Sequence, residues 1–260
     1  MSQDGFDYGG EVAETVSKFK QPKVGVRNAR LYGLLRLGTF SESFNNNGKV
    51  EIKAPAPQGI AIFHMLGKED KMDDGEPMFF TKSFPFKKGE KSFLHSKFIP
   101  AFGGMAKHSG FPSMVNNLFS LKLKGGKDVN DDGTPKYVNF DAMSEVAEDM
   151  LELIESSPQY AALESPVGFL TEATLTKEAL EMLHPTREFA GILMETQEFK
   201  AGTHPSQALI QAMYDENTER YTVKKKDAKA GEESPAGTQA ASTPQSLPEN
   251  VESLDEEREF

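Results

Sequence analysis

In "MFFTKSFPFKKGE", Lys82, Lys87 and Lys88 stand among Phe80, Phe84 and Phe86, and in "ARLYGLLRLG" Arg30, Tyr32 and Arg36 recur at even spacing. Cations interleaved with aromatic rings suit one kind of chemistry. Ammonium and guanidinium groups follow phosphates while ring faces stack on bases, each stacked base contributing roughly 1–3 kcal/mol. The pattern returns in "NLFSLKLK", where Lys122 and Lys124 alternate with Phe119, Leu121 and Leu123, and in "KYVNF", where Tyr137 alternates with Val138. Of the 19 Phe, 12 lie between Phe40 and Phe119, and a small β-domain also needs Phe to fill its core. Alternation sorts them: Phe119 is expected inside, and Lys122, Lys124 and Tyr137 outside. The candidate stacking residues are therefore Tyr32, Phe84, Phe86 and Tyr137. The candidate phosphate contacts are Arg30, Arg36, Lys82, Lys87, Lys88, Lys122 and Lys124.

Other chemistry finds little support. The chain has no cysteine, hence no thiolate nucleophile, disulfide or cysteine metal site. His64, His95, His108, His184 and His204 form no pair at metal-ligand spacing. "DVNDDG" sets Asp128, Asn130, Asp132 and Gly133 in register with half an EF-hand loop, but Asn139 stands where a bidentate Glu is required. An Asp-Asp-Gly hairpin turn accounts for the same residues. Phosphate-binding loops, nucleophile elbows and paired carboxylates are absent from the sequence. No metal, cofactor or enzymatic activity is expected.

The elements that must carry the cations and rings read as short strands. Val26–Phe40, Gly59–Leu66, Met78–Phe86, Asn117–Lys124 and Lys136–Met143 have strand character, and a helical stretch begins near Ser92 and stops at Pro100. Five strands with a helix between the third and fourth is the element order of an OB-fold barrel. The fold expected is mainly β: an N-terminal arm over 1–24, then a five-stranded OB-fold barrel over 25–143. Helical periodicity in "SEVAEDMLELIESS" and "SQALIQAMYDENTERY" predicts an acidic α-helical appendage over 144–222. Residues 223–260, rich in Ala, Gly, Ser, Pro and acids, read as a disordered linker and tail.

Charge follows this division. Residues 18–127 hold 19 Lys and Arg against 8 Asp and Glu, whereas 141–226 hold 7 against 16 and 227–260 hold 2 against 9. A basic body joined to acidic segments is hidden by the overall net charge of −11. The acidic end finishes on "SLDEEREF". Asp255, Glu256, Glu257, Glu259 and Phe260 are expected to compete weakly with DNA for the cationic groove and, once displaced, to engage partner proteins. The first residues lack the basic and apolar regions of a signal peptide, and no run of about 18 apolar residues occurs. A cytoplasmic setting is expected, the host's cytoplasm if the protein is viral.

"RNARLYGLLRLGTF", "GEPMFFTKSFPFKKGEKSFLHSKF" and "NLFSLKLKGGKDVNDDGTPKYVNFDAMSEV" together resemble the single-stranded DNA-binding proteins of tailed phages, over roughly 26–160. The resemblance implies an OB-fold that coats single-stranded DNA in replication and recombination. The tip of the chain is similar to the tails of bacterial and podophage single-stranded DNA-binding proteins, which contact DNA polymerase, primase-helicase or nuclease. Arg258 departs from that pattern. Two alternatives stay open at this point: a recombination mediator that anneals strands, and a phage scaffolding protein that binds no DNA. A homo-oligomer is compatible with either.

Overall fold

The computed structural model describes residues 20–41, 43–46, 49–130, 133–183 and 186–216. In chain order the strands are β1 (Gly25–Phe40), β2 (Ser43–Asn46), β3 (Lys49–Ile52), β4 (Ala56–Met65), β5 (Phe79–Pro85), β6 (Leu118–Gly125), β7 (Val138–Ser144) and β8 (Gly168–Leu170). All five expected strands therefore exist, as β1, β4, β5, β6 and β7. The helical stretch begins where the sequence places it but does not stop at Pro100. Leu94–Phe98 is wound widely, with Ile99 N–H donating to the Leu94 carbonyl, and passes into α1 (Ile99–Ala101) across Pro100.

The sheet does not close into a barrel. Its order is β5-β4-β1-β6-β7, antiparallel throughout, and no ladder joins the end strands β5 and β7. β8 adds a sixth strand, parallel to β1 at Gly33–Leu35, just beyond the Gly25–Arg30 stretch that pairs with β6. The OB-fold barrel is thus corrected to an open six-stranded sheet in a mixed α/β single domain. The physical reason lies in what strand patterns encode. Alternation fixes which face of a strand is buried, but pairing between the first and last strands is set by long-range packing. Here aromatic side chains stand between β5 and β7: Phe84 packs on Phe93 at 4.8 Å and Phe93 on Phe140 at 5.2 Å between ring centres.

A second correction concerns the C-terminal half. It is not a single acidic appendage but several short helices: α2 (Glu148–Glu155), α3 (Lys177–Glu181), α4 (Thr186–Leu193), α5 (Gln197–Lys200) and α6 (Gln207–Glu216). Leu175, Leu180, Leu193 and Ile210 are buried with Leu35, Leu37, Ile60 and Ile62 of β1 and β4. The opposite face of the same strands buries Leu31, Leu34, Ala61 and Phe63 against Phe98, Phe102 and Phe119. The central strands are covered on both sides, so their near-continuous apolar runs belong to a two-faced sheet. The arm before residue 20 and the tail after residue 216 lie outside the described residues. Among the described residues no helix is long and apolar enough to cross a membrane.

His64 of β4 sits opposite Arg30 of β1 and beside Phe79 at 5.7 Å, with a buried Nδ1 that has no hydrogen-bond partner. Burial, and next the Arg30 charge, push its pKa down from 6.5 to about 4. The unfolded chain therefore takes up a proton before the folded one does. Stability that is full above about pH 6.5 drains away as the pH falls toward about 4. Because the ring is partly exposed, screening limits the loss to roughly 1–2 kcal/mol. Urea midpoints at about pH 7 and about pH 4.5 should fall more for the wild type than for His64→Phe. Equal losses would show that the imidazole protonates freely in the fold.

A row of rings with cations at both ends

Phe86 follows β5 and donates its backbone N–H to the Pro57 carbonyl at 2.7 Å, which folds its ring over β4. The ring lies against Gly59, where a Cβ would come within 2.1 Å of it. Only glycine leaves room for this contact. From Phe86 the row runs to Phe84 at 5.2 Å, on to Phe93 at 4.8 Å and to Phe140 at 5.2 Å, while Phe111 branches from Phe86 at 5.8 Å. Phe84 is only 2 % exposed and acts as the floor, whereas Phe86, Phe93, Phe111 and Phe140 are half-buried at the rim of the core.

Cations close both ends of the row. Lys82 Nζ and Lys97 Nζ lie 5.6 and 5.7 Å from the centre of the same Phe140 ring, across the gap between β5 and β7. Neither forms an ion pair among the described residues. Burial, and next the neighbouring Lys97 ammonium, lower the Lys82 pKa below its ordinary value. At the other end Arg36 Cζ stands 5.9 Å over Phe86.

Gly59→Ala should break this arrangement locally. The added methyl displaces the Phe86 ring, and overpacking of this kind costs about 1–3 kcal/mol. Thermal unfolding reads the loss. An unchanged midpoint would mean that the ring does not rest on Gly59.

The remaining sequence-predicted residues are scattered. Arg30 donates to the carbonyls of Tyr160 at 3.1 Å and Asn116 at 2.6 Å, and Tyr32 OH donates to the Ser165 carbonyl at 2.9 Å. The Tyr32 ring packs on Phe79 at 4.7 Å. The alternation of β1 puts Arg30, Tyr32 and Arg36 on one face, but a register shift between Leu31 and Gly33 intervenes. Tyr32 therefore packs with the Leu35 cluster and Phe86, beneath Arg36, with the Leu34 cluster. One extra residue in a strand flips every side chain after it to the other face.

Lys122 and Lys124 are exposed, as expected, but share the Asp141 carboxylate at 3.0 and 3.7 Å. The Lys122 hydrogen bond and charge hold that carboxyl below its usual range. Lys87 and Lys88 are exposed, and Lys87 lines a cleft of about 110 Å³ with Phe40 and Pro85. Tyr137 is exposed with Lys136 Nζ over its ring at 5.7 Å. Phe84 is buried and cannot stack on a ligand. Asp255, Glu256, Glu257, Glu259 and Phe260 lie outside the described residues.

Sequence reasoning missed Lys97 and Phe93. Both lie in the helical stretch with Phe93 four residues ahead of Lys97, a spacing that puts them on one helix face. Around the half EF-hand, Val129 and Pro135 form an isolated antiparallel bridge, Gly133 adopts φ 79° and Asn130 Nδ2 donates to Thr134 Oγ1 at 3.0 Å, while residues 131–132 lie outside the described residues. Among the described residues no cluster of three His, Asp or Glu could hold a metal.

No protein family, curated protein or solved structure matches the chain. The resemblance to phage single-stranded DNA-binding proteins is therefore corrected along with the barrel that it implied. A DNA-coating role rested on a groove across a closed barrel, and the open sheet removes that basis.

Proposed function

We propose that the protein is a non-catalytic binding protein for a ligand that joins phosphate to a flat ring, in chemical terms a nucleotide unit, at the gap between β5 and β7. The observation that carries this reading is the pair Lys82 and Lys97, two ammonium groups over one half-buried ring, neither in an ion pair among the described residues. Like charges held together cost free energy, and an anion placed between them relieves that cost. Burial first, and the Lys97 ammonium second, lower the Lys82 pKa. A phosphate at the two ammonium groups leaves the attached ring beside the Phe140 and Phe93 faces, where stacking adds roughly 1–3 kcal/mol.

Calorimetric titration with a nucleoside monophosphate, its parent nucleoside and inorganic phosphate tests the reading. The nucleotide is expected to bind most tightly, with an affinity that falls as salt rises. If nucleoside and nucleotide bind equally, or if phosphate alone binds as well as the nucleotide, the site does not combine charge with stacking. The reading then fails.

A further inference from the structure

Lys82 stands in the middle of β5, paired across the ladder with Ala61 of β4. Alternation puts Phe80 and Phe84 on its own face of the strand, and both belong to the core beneath it. Its Nζ reaches over the gap to within 5.6 Å of the centre of the Phe140 ring on β7. The Lys82 side chain is half-buried, whereas Lys97, which approaches the same ring at 5.7 Å, is exposed. The two lysines therefore share a ring but not an environment.

A lysine taken partly out of water normally keeps its charge by pairing with an acid. The elements around this gap supply none. β4, β5, the stretch Leu94–Phe98 and α1 contain no Asp or Glu, and β7 contains only Asp141. That carboxylate is already held by Lys122 and Lys124 at 3.0 and 3.7 Å. His95, the other basic residue of Leu94–Phe98, is exposed. The charge that does face Lys82 is Lys97, of the same sign. Burial and a like charge both favour the neutral amine over the ammonium, and burial first, then Lys97, lower the Lys82 pKa. Desolvation beside a second cation is one way in which a lysine becomes a nucleophile.

We propose that Lys82 is a nucleophilic amine that captures an aromatic aldehyde as an imine, with the aldehyde's ring against Phe140 and Lys97 as a positioning residue that acts through Lys82. The Nζ electron pair attacks the carbonyl carbon, and the C=O π pair moves onto oxygen. Both nitrogen protons pass to that oxygen, which leaves as water while the C=N bond forms. No oxidant or reductant takes part, and hydrolysis reverses the step. This goes beyond the nucleotide reading and calls on the opposite protonation state of the same lysine. An aldehyde needs the amine and a phosphate needs the ammonium, so the two ligands exclude each other.

The test treats the full chain with benzaldehyde and cyanoborohydride, which reduces an imine to a stable secondary amine, and locates the modified lysines by peptide mass spectrometry. At about pH 7, Lys82 is expected to be labelled at least about 5-fold faster than the exposed Lys87 and Lys88, which serve as controls within the same chain. Lys97→Gln should shift the rise of Lys82 labelling to higher pH and leave Lys87 and Lys88 as they are. Labelling of Lys82 no faster than that of Lys87 and Lys88 overturns the proposal. So does a pH profile of Lys82 that Lys97→Gln leaves in place. A nucleoside monophosphate should slow labelling at Lys82 alone, by holding it as the ammonium. Preferential labelling that the nucleotide does not slow supports the amine and overturns the nucleotide reading instead, so the two are tested apart.

Discussion

Leu193→Ala in α4 is expected to remove about 2–5 kcal/mol of folding stability, as much as a truncation in the heart of a core. Leu193 is fully buried and belongs to the cluster formed by Leu35, Leu37, Ile60 and Ile62 on one face of β1 and β4. Those two strands also carry Leu31, Leu34 and Phe63 in the opposite cluster. The two cores therefore share their backbone, and a cavity in one should loosen both. Urea unfolding followed by circular dichroism should show a single cooperative transition, displaced as a whole in Leu193→Ala. A transition that splits, with only a small helical phase moved by the substitution, would mean that the helices unfold separately from the sheet. They would then be an appendage after all.

The C-terminal helices contradict the sequence reading at this point for a reason that can be located. Their acidic surface residues set the charge count of the segment, and charge describes the face turned to water. The buried face, with Leu180, Leu183, Leu193, Ile210 and Met213, is visible as periodicity, yet periodicity does not say what the face covers. The partner surface was hidden in β1 and β4, whose apolar residues suffice for one core on a simple alternation. The register shift at Leu31/Gly33 supplies the second, by turning Leu35 and Leu37 away from Leu31, with which they share parity, and bringing Leu34 to the Leu31 side. A bulge of one residue leaves almost no trace in composition.

The same shift divides the candidate site. Lys82 and Phe86 were legible from their parity on β5, and Lys122, Lys124 and Tyr137 do lie at the surface. The residues that give Lys82 its setting were not legible, because Lys97 and Phe140 come from two other elements and meet it only in the folded chain. Charge neutralisation was equally out of reach. Nothing along β6 shows that Asp141, almost 20 residues on, faces Lys122 and Lys124.

Neutralising the two ammonium groups together, in Lys82→Gln/Lys97→Gln, should weaken nucleotide binding about 10- to 100-fold. A hydrogen bond from a charged group contributes roughly 1.5–3 kcal/mol, and the two are not additive because each lysine partly relieves the other. The comparison that gives this loss its meaning is Lys122→Gln/Lys124→Gln. That variant removes the same number of positive charges from a place where Asp141 already compensates them, at 3.0 and 3.7 Å. It should change affinity by less than about two-fold, since exposed paired charges act weakly at a distance in salt. Losses of equal size in the two variants would reduce the site to a general effect of net charge. The pH dependence adds a test that net charge cannot imitate. Lys82 must be protonated to hold phosphate, and burial and Lys97 lower its pKa, so affinity should fall with rising pH earlier than an ordinary lysine allows. Lys97→Gln removes the second of those causes. It should move the fall back to higher pH even as it weakens binding at neutral pH, two changes of opposite sense that follow only if the two ammonium groups stand together over Phe140.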